Sequence, residues 1–309
     1  MPPAAGTARP FYCSNEILDT ARPRPFTRLG DDRRLIIASL VALTLVAWAY
    51  IWLLADGMAR GDMSLMGLGE DMPGAAAAAG GGDAMSMARS AAVPTKELLG
   101  ASPAPWTATT FGLMFQMWWI MMVGMMMPSS MPVIMLYARV QRASMPEQSA
   151  ARHVALFTAG YLGAWGAFSA VATTAQWALN ASGLLAPMTM SVGTKLGAAL
   201  FVAAGLYQLS PLKNVCLRHC RAPGEFLSHH RRPGTAGALV TGAHHGLYCV
   251  GCCWLLMALL FVGGVMNLLW VAALAVLVLL EKLASYGHWL ARASGVAMLG
   301  VAAYLFAVG

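Results

Sequence analysis

The sequence predicts an all-α protein, a polytopic bundle of about seven transmembrane helices, from its composition and its apolar runs. Of 309 residues, 58% are hydrophobic and only 11% are charged, and the mean hydropathy is +0.61. Soluble domains carry about a quarter of charged residues. Several uncharged runs approach about 20 residues, the length of helix that crosses about 30 Å of hydrocarbon. Helices are expected because lipid offers the backbone no hydrogen-bond partners.

The chain divides into a polar N-terminal part and a more apolar remainder. We expect residues 1–34 to be a disordered basic cytosolic tail and residues 35–54 to be the first transmembrane helix. That helix begins too far into the chain for a cleaved signal peptide, so it is interpreted as a signal anchor. Residues 55–108 have low complexity, which predicts a flexible Met-rich periplasmic loop. Residues 109–309 are expected to form a six-helix metal-binding membrane domain.

Six further spans follow the signal anchor. They are predicted at Thr110–Arg139, His153–Leu179, Val192–Ser210, Ala236–Val262, Met266–Leu280 and His288–Val308. Seven spans place the termini on opposite sides, and an N-in/C-out orientation leaves all but four of the 20 basic residues on the inside. This bias sets orientation. The basic residues flank apolar runs, which indicates contact with membrane lipid and argues against nucleic-acid binding.

The strongest functional signal lies in the fifth span, in Thr241–Met257 (TGAHHGLYCVGCCWLLM). Residues three and four apart share a helix face, so His245, Cys249 and either Cys252 or Cys253 can line one stripe. Imidazole and thiolate suit Cu(I) or zinc. A single cysteine in a helix is more simply a small buried hydrophobe. Three within five residues, one turn after a histidine pair, favour a metal site.

A second group of candidate ligands lies in the basic loop Pro211–Pro233. On one helical turn Cys216, His219 and Cys220 could converge on an ion. The basic neighbours are expected to lower the thiol pKa and favour thiolate. The C-x3-C spacing is a weaker zinc pattern than paired C-x2-C. The alternative is a loop on the positive side of the membrane with incidental thiols.

Methionines form the third candidate group. A helical stripe runs through the second span at Met114, Met117, Met121 and Met125. Met121 and Met125 are candidate thioether ligands, although such a stripe can equally be packing. Pro128 and Pro132 are expected to kink the same helix, with nearby serines answering the freed carbonyls. In the 55–108 loop, methionines could bind Cu(I) where thiols would be oxidised, or belong to a neutral linker.

Two further polar residues, His244 and Glu281, receive structural interpretations. His244 is expected to face away from the cysteine stripe or toward the headgroups. Glu281 is expected to be an interfacial anchor, paired with Lys282 or Arg292, although a carboxylate at the end of a span can also be functional.

Four stretches resemble a bacterial family of predicted metal-binding integral membrane proteins, some named copper chaperones. They are MWWIMMVGMMMPSSMP (Met117–Pro132), YQLSPLKNVCLRHCR (Tyr207–Arg221), GLYCVGCCWLLM (Gly246–Met257) and GGVMNLLWVAALAVLVLLEK (Gly263–Lys282). The resemblance runs from about Phe111 to the C-terminus and leaves out the tail and the 55–108 loop. It implies residence in the bacterial inner membrane and help in loading copper into a secreted or membrane cuproenzyme.

These observations predict a non-enzymatic Cu(I)-binding protein, with zinc as the other candidate metal, that passes copper to a periplasmic acceptor. The sequence contains no G-x-x-x-x-G-K-[ST] phosphate loop, which argues against an ATP-driven pump. One alternative is a membrane thiol–disulfide oxidoreductase that uses Cys249 with Cys252 and Cys216 with Cys220. Another is a non-catalytic subunit of a membrane complex in which the cysteines only pack.

Overall fold

A computed structural model describes residues 26–59, 106–186, 191–265 and 267–308. Cys13, the first part of the predicted tail and most of the predicted Met-rich loop lie outside the described residues. The helices are α1 (Phe26–Ala59), α2 (Ala108–Ser144), α3 (Glu147–Ala181), α4 (Thr194–Leu209), α5 (Pro211–Arg221), α6 (Pro223–His230), α7 (Gly234–Ala258), α8 (Leu260–Gly263), α9 (Leu268–Leu283) and α10 (Gly287–Val308). The all-α prediction is confirmed for the described part of the chain.

Two short strands accompany the helices. Strand β1 (Leu185–Ala186) pairs antiparallel with β2 (Ser191–Val192), and Leu185 lies opposite Val192. The pair lies in the connection between α3 and α4, where an uncharged loop separates two apolar segments. Its two residues per strand leave the architecture helical.

Five helical segments are long and apolar enough to cross a membrane. They are Arg34–Gly57, Ala108–Ser144, Ser149–Ala181, Gly234–Gly263 and Gly287–Val308. They correspond to the first, second, third, fifth and seventh predicted spans. The fourth and sixth predicted spans coincide with α4 and α9, which have 16 residues each. At about 1.5 Å per residue, such a helix is about 24 Å long, so these two are shorter than the other five.

Helices α3 and α7 pack closely because glycines lie at their contact. A Cβ added to Gly242 would collide with the carbonyl oxygen of Phe157. A Cβ on Gly246 would lie 2.6 Å from the Ala164 Cβ and 3.0 Å from the Tyr161 carbonyl oxygen. Only hydrogen fits at these two positions, which lets the two backbones approach each other closely. This approach places Tyr161 beside the cysteines of α7.

Prolines inside α2 leave carbonyl groups that other residues satisfy. Pro128 has no N–H to donate to the carbonyl of Gly124, and Trp48 Nε1 of α1 donates to that carbonyl oxygen at 3.2 Å instead. One turn further on, Ser129 Oγ donates to the carbonyl oxygen of Met126 at 2.8 Å. The carbonyl that Pro128 frees is thus satisfied by Trp48, whereas Ser129 bonds a carbonyl that no proline frees, so the expectation that serines answer the freed carbonyls was wrong at Pro128.

The segment expected to be a basic loop folds as α5 and α6, which pack against α7 and α2. Helix α5 begins with an N-cap, because the Ser210 hydroxyl accepts from the backbone N–H of Lys213 at 3.3 Å, and Pro211 occupies the first position. At its other end, Arg221 donates to the carbonyl oxygens of Ala284 (2.7 Å) and Ser285 (2.9 Å), just beyond α9. Arg221 thus satisfies carbonyls that the end of α9 leaves unpaired.

A buried ion pair also joins α5 to α9. Lys213 Nζ lies 2.5 Å from Glu281 Oε2, and both side chains are almost fully buried. Gln208 accepts from Lys213 and donates its Nε2 to Glu281 Oε1 at 2.7 Å. The expected partners of Glu281, Lys282 and Arg292, were wrong. Lys213 takes the carboxylate because α5 folds back onto the end of α9, which spacing along the sequence does not reveal.

Candidate metal centre

The three cysteines of α7 are buried, each with 1–2% of its surface exposed. Cys249 Sγ lies 3.0 Å from Lys282 Nζ of α9 and 3.2 Å from Tyr161 Oη of α3. The thiols of Cys252 and Cys253 both donate to the backbone carbonyl oxygen of Cys249, at 3.1 and 3.0 Å. Cys249 is therefore the α7 cysteine whose sulfur meets polar groups of two other helices.

Lys282 lies at the centre of this region. Besides Cys249, its Nζ lies 3.4 Å from Ser129 Oγ, 3.7 Å from Met126 Sδ and 3.9 Å from Cys253 Sγ. Burying an ammonium is costly unless an anion lies beside it. The adjacent carboxylate of Glu281 is committed to Lys213, so the thiols are the contacting groups that can carry the negative charge.

Helix α2 supplies a thioether to the same place. Met126 Sδ lies 4.0 Å from Cys253 Sγ, and Tyr161 Oη donates to the Met126 carbonyl oxygen at 3.2 Å. Met121 and Met125, the candidates from the helical stripe, are buried in the surrounding core. Their thioether role stays a prediction, whereas Met126 is the α2 methionine with a contact to a cysteine sulfur.

Helix α5 brings two further thiols. The Cys220 thiol lies close enough to the thiols of Cys249 and Cys252 for its pKa to respond to both. Cys216 lies beside α7 at Gly251, where an added Cβ would be 3.0 Å from Cys216 Sγ. The sulfur cluster, as we call it from here on, comprises Cys220, Cys249, Cys252, Cys253 and Met126. It gathers sulfur atoms from α2, α5 and α7.

The expected low pKa of the α5 thiols was wrong. Burial raises the pKa of Cys216, and the charge of Cys252 raises it further. Hydrogen bonds with Cys249 and Cys252, together with burial, raise the pKa of Cys220 well above its ordinary value. The basic neighbours do not reverse this effect: Arg218 is exposed, and Arg221 is turned to the carbonyls beyond α9.

His245 is buried one helical turn from Cys249. Its ring stacks between Phe157 and Tyr161, with ring centres 6.2 and 5.7 Å away. Among the described residues, its Nδ1 has no hydrogen-bond partner. A buried nitrogen without a partner costs free energy, and a bound metal ion would satisfy it. This nitrogen fits the role of supporting ligand that the sequence predicts.

His219 lies away from the two cysteines of its own helix. Its ring stacks on Tyr248 at 4.1 Å with 3° between the planes, and its Nδ1 lies 2.9 Å from the Val215 carbonyl oxygen. Cys220 instead faces the α7 thiols, and Cys216 faces Gly251. Each of these three side chains, Cys216, His219 and Cys220, therefore lies against a different part of α7.

The donor atoms of the cluster suit a soft metal ion. Within the described ranges, no three His, Cys, Asp or Glu side chains are grouped so that they could hold one ion. The cluster adds a thioether to the thiols, and thiolate and thioether together select Cu(I). Sequence reasoning missed Met126, Tyr161 and Lys282. Lys282 could have been recognised in the sequence as a lysine at the end of an apolar helix.

Fold and site together define an all-α protein with five helices compatible with membrane crossing and a buried cluster of sulfur atoms. The family model PpoB2, described as copper chaperone, matches residues 115–305, and the chain belongs to this family. The matched range contains every residue of the sulfur cluster and excludes α1. Membership indicates a copper-related function and is consistent with a non-enzymatic role. Comparisons with curated proteins and with solved structures each found no match.

Proposed function

We propose that this protein is an integral membrane Cu(I) chaperone that binds copper in the sulfur cluster and passes it to a periplasmic or membrane cuproenzyme. The observation that carries the proposal is the meeting of buried α7 thiols with the Met126 thioether of α2 beside the Lys282 ammonium, with the partly buried Cys220 thiol of α5 next to them. These are the ligand types that favour Cu(I) over harder ions. Zinc remains the other metal that thiolate and imidazole would take.

Cys249 and Cys252 are the proposed primary ligands. Cys253, Met126 and Cys220 offer further sulfur, and His245 offers the unpartnered imidazole nitrogen. Met121 and Met125 are further proposed thioether ligands along α2. Copper is cargo in this scheme, so ligands from different helices can exchange one at a time as the ion moves.

Charge balance gives Lys282 a role in the loaded state. Two thiolates and one Cu(I) carry a net charge of minus one, and a buried charge is unfavourable unless it is compensated. The Lys282 ammonium, 3.0 Å from Cys249 Sγ, makes the assembly neutral. It does so without occupying a ligand position.

The membrane setting extends the five candidate spans to seven. Helices α4 and α9 expose large apolar side chains such as Leu206 (58% exposed) and Leu269 (81% exposed), which suits contact with lipid. A bilayer accommodates a short helix by thinning locally. The N-in/C-out orientation in a bacterial inner membrane follows from the basic residues. It places α5 and α6 on the cytosolic side and residues 60–105 in the periplasm, where thioether ligands resist oxidation.

The test is metal content, measured by mass spectrometry on full-length detergent-purified protein expressed with copper. The wild type is compared with Cys249→Ser/Cys252→Ser, and Cys13→Ser, which lies outside the family match, is the matched control. We expect the double variant to carry about one copper fewer per protein than the wild type and the control. Unchanged copper in the double variant would overturn the proposed ligands, and copper absent from all three would overturn the function.

One contact also favours the thiol–disulfide oxidoreductase alternative. Cys220 is within hydrogen-bonding reach of both Cys249 and Cys252, and thiols this close can exchange disulfides. That function requires a mixed disulfide with a partner. Trapping such a species with Cys220→Ser or Cys252→Ser would support it, and its absence alongside bound copper would exclude it.

A further inference from the structure

A group of histidines and aromatic rings lies beside the sulfur cluster, where α5, α6 and the middle of α7 meet. Its members are His219, Phe226, His230, His244 and Tyr248. The rings of His219 and His230 have centres 5.7 Å apart and planes 80° apart. His244 is the next ring, 6.2 Å from His230. All three histidines are partly exposed, so solvent reaches a group that the sulfur cluster does not include.

Aromatic neighbours hold the two closest histidines in place. His219 stacks on Tyr248 at 4.1 Å with nearly parallel planes, and His230 stacks on Phe226 at 4.9 Å with planes 10° apart. Stacking fixes the plane of each ring and leaves its edge nitrogens to other partners. Two histidines from different helices are thus held side by side before any ligand arrives.

Hydrogen bonds determine which nitrogen of each neutral ring is open. His219 Nδ1 lies 2.9 Å from the Val215 carbonyl oxygen, and His230 Nδ1 lies 3.2 Å from the Phe226 carbonyl oxygen. A carbonyl only accepts, so both Nδ1 atoms carry the hydrogen and both Nε2 atoms keep a lone pair. Neither Nε2 has a hydrogen-bond partner among the described residues. Metal-binding histidines show this arrangement, in which one nitrogen is anchored and the other binds.

From this geometry we propose that His219 and His230 form a second copper site, a two-coordinate Cu(I) site that receives the ion before the sulfur cluster does. With metal–nitrogen bonds of about 2 Å, two imidazoles on opposite sides of one ion have ring centres about 6 Å apart, close to the observed separation. Imidazole nitrogen is a ligand that suits copper. This inference rests on the proposed function.

The surrounding charge selects a monovalent ion. Arg218, Arg231 and Arg232 flank the histidines along the chain, and repulsion from them grows with the charge of the bound ion. Divalent zinc or Cu(II) is disfavoured here relative to Cu(I). The histidines are partly exposed and the α7 cysteines are buried, so an ion from solvent reaches the histidines first, and His219 adjoins Cys220, which interacts with Cys249 and Cys252.

The experiment measures Cu(I) bound by full-length protein in detergent, with ascorbate as reductant and a colorimetric Cu(I) chelator as competitor. The test variant is His219→Phe/His230→Phe, which keeps both stacking rings and removes both nitrogens. His229→Phe, an exposed neighbour in the same helix, is the matched control. Each is made in the wild-type background and in Cys249→Ser/Cys252→Ser, and thermal unfolding checks that each variant folds.

We expect the wild type and His229→Phe to bind two equivalents of copper, and the paired phenylalanine variant to lose the weaker one. Protein with Cys249→Ser/Cys252→Ser should keep one equivalent, with nitrogen ligands in X-ray absorption, and should lose it when the phenylalanines are added. Copper binding unaffected by the phenylalanines in either background would overturn the histidine site. If the serine variant keeps all of its copper and only the phenylalanines remove it, the sulfur cluster fails while the histidine site stands.

Discussion

Lys282 Nζ of α9 lies 3.0 Å from Cys249 Sγ of α7, and both side chains are buried. Lys282 is the second of two consecutive charged residues in α9, and Cys249 is a member of the sulfur cluster. Its neighbour Glu281 binds Lys213 instead. The two opposite charges at positions 281 and 282 therefore contact two different helices. Glu281 pairs with α5, and Lys282 contacts sulfur atoms and a hydroxyl group.

Replacing Lys282 by Gln should weaken copper retention. The variant keeps a hydrogen-bond donor but loses the charge that balances two thiolates and Cu(I). A hydrogen bond to a charged group contributes about 1.5–3 kcal/mol, and about 1.4 kcal/mol corresponds to a factor of ten. We expect the affinity for Cu(I) to fall roughly tenfold to a hundredfold, measured by chelator competition. The exposed Lys195→Gln is the control, and equal affinities for all three proteins would contradict the role of Lys282.

The glycines between α3 and α7 predict a large difference between two similar substitutions. In Gly242→Ala the new methyl meets the Phe157 backbone, so the helices must separate and Tyr161 moves away from Cys249. Overpacking costs about 1–3 kcal/mol, and we expect a lower unfolding temperature and less copper. In Gly163→Ala, on the same helix pair, nothing lies within 4 Å of the new Cβ. That control should be neutral or slightly more stable, because alanine favours helix. Similar melting curves for both variants would be inconsistent with the close contact.

Helical periodicity placed part of the candidate site. Steps of three and four residues placed His245 and Cys249 on one face of α7, and both are buried there. The same rule could not choose among the methionines of α2. Met125, Met126 and Met127 are all buried because helices pack on several sides of this part of α2, so consecutive residues face protein and periodicity cannot select one of them.

The rest of the site depends on contacts between distant parts of the chain. Lys282 and Cys249 belong to different helices, and no spacing rule links them. The polar residues of the basic stretch around Cys216 predict a loop. In the structure, the pairing of Lys213 with Glu281 holds this stretch against α9. Because Cys216 is partly buried, the rule that basic neighbours lower a thiol pKa does not hold here, and burial raises the pKa instead.

Removing the charge of Glu281 should destabilise the fold. Glu281→Gln keeps the shape of the side chain but leaves the Lys213 ammonium buried without an anion. Breaking a buried pair costs roughly 3–5 kcal/mol, and we expect a correspondingly lower midpoint of denaturant unfolding in detergent. The control is Glu225→Gln, an exposed carboxylate in α6. A double variant, Lys213→Met/Glu281→Leu, should recover part of the loss because no charge is then left alone. Full stability of Glu281→Gln would show that the pair does not hold α5.

The pH dependence of Cys216 alkylation tests the burial of α5. Only the thiolate reacts, and burial together with the charge of Cys252 raises the pKa of Cys216. The thiol therefore stays protonated at pH values where an ordinary thiol ionises, so its reaction with iodoacetamide should begin at higher pH than that of an unstructured cysteine peptide. Mass spectrometry of the Cys216 peptide gives the rate at each pH. In Cys252→Ser the midpoint should move down, because one source of negative charge is gone. A wild-type midpoint at or below that of the peptide would mean that the basic residues, and not burial, control this thiol.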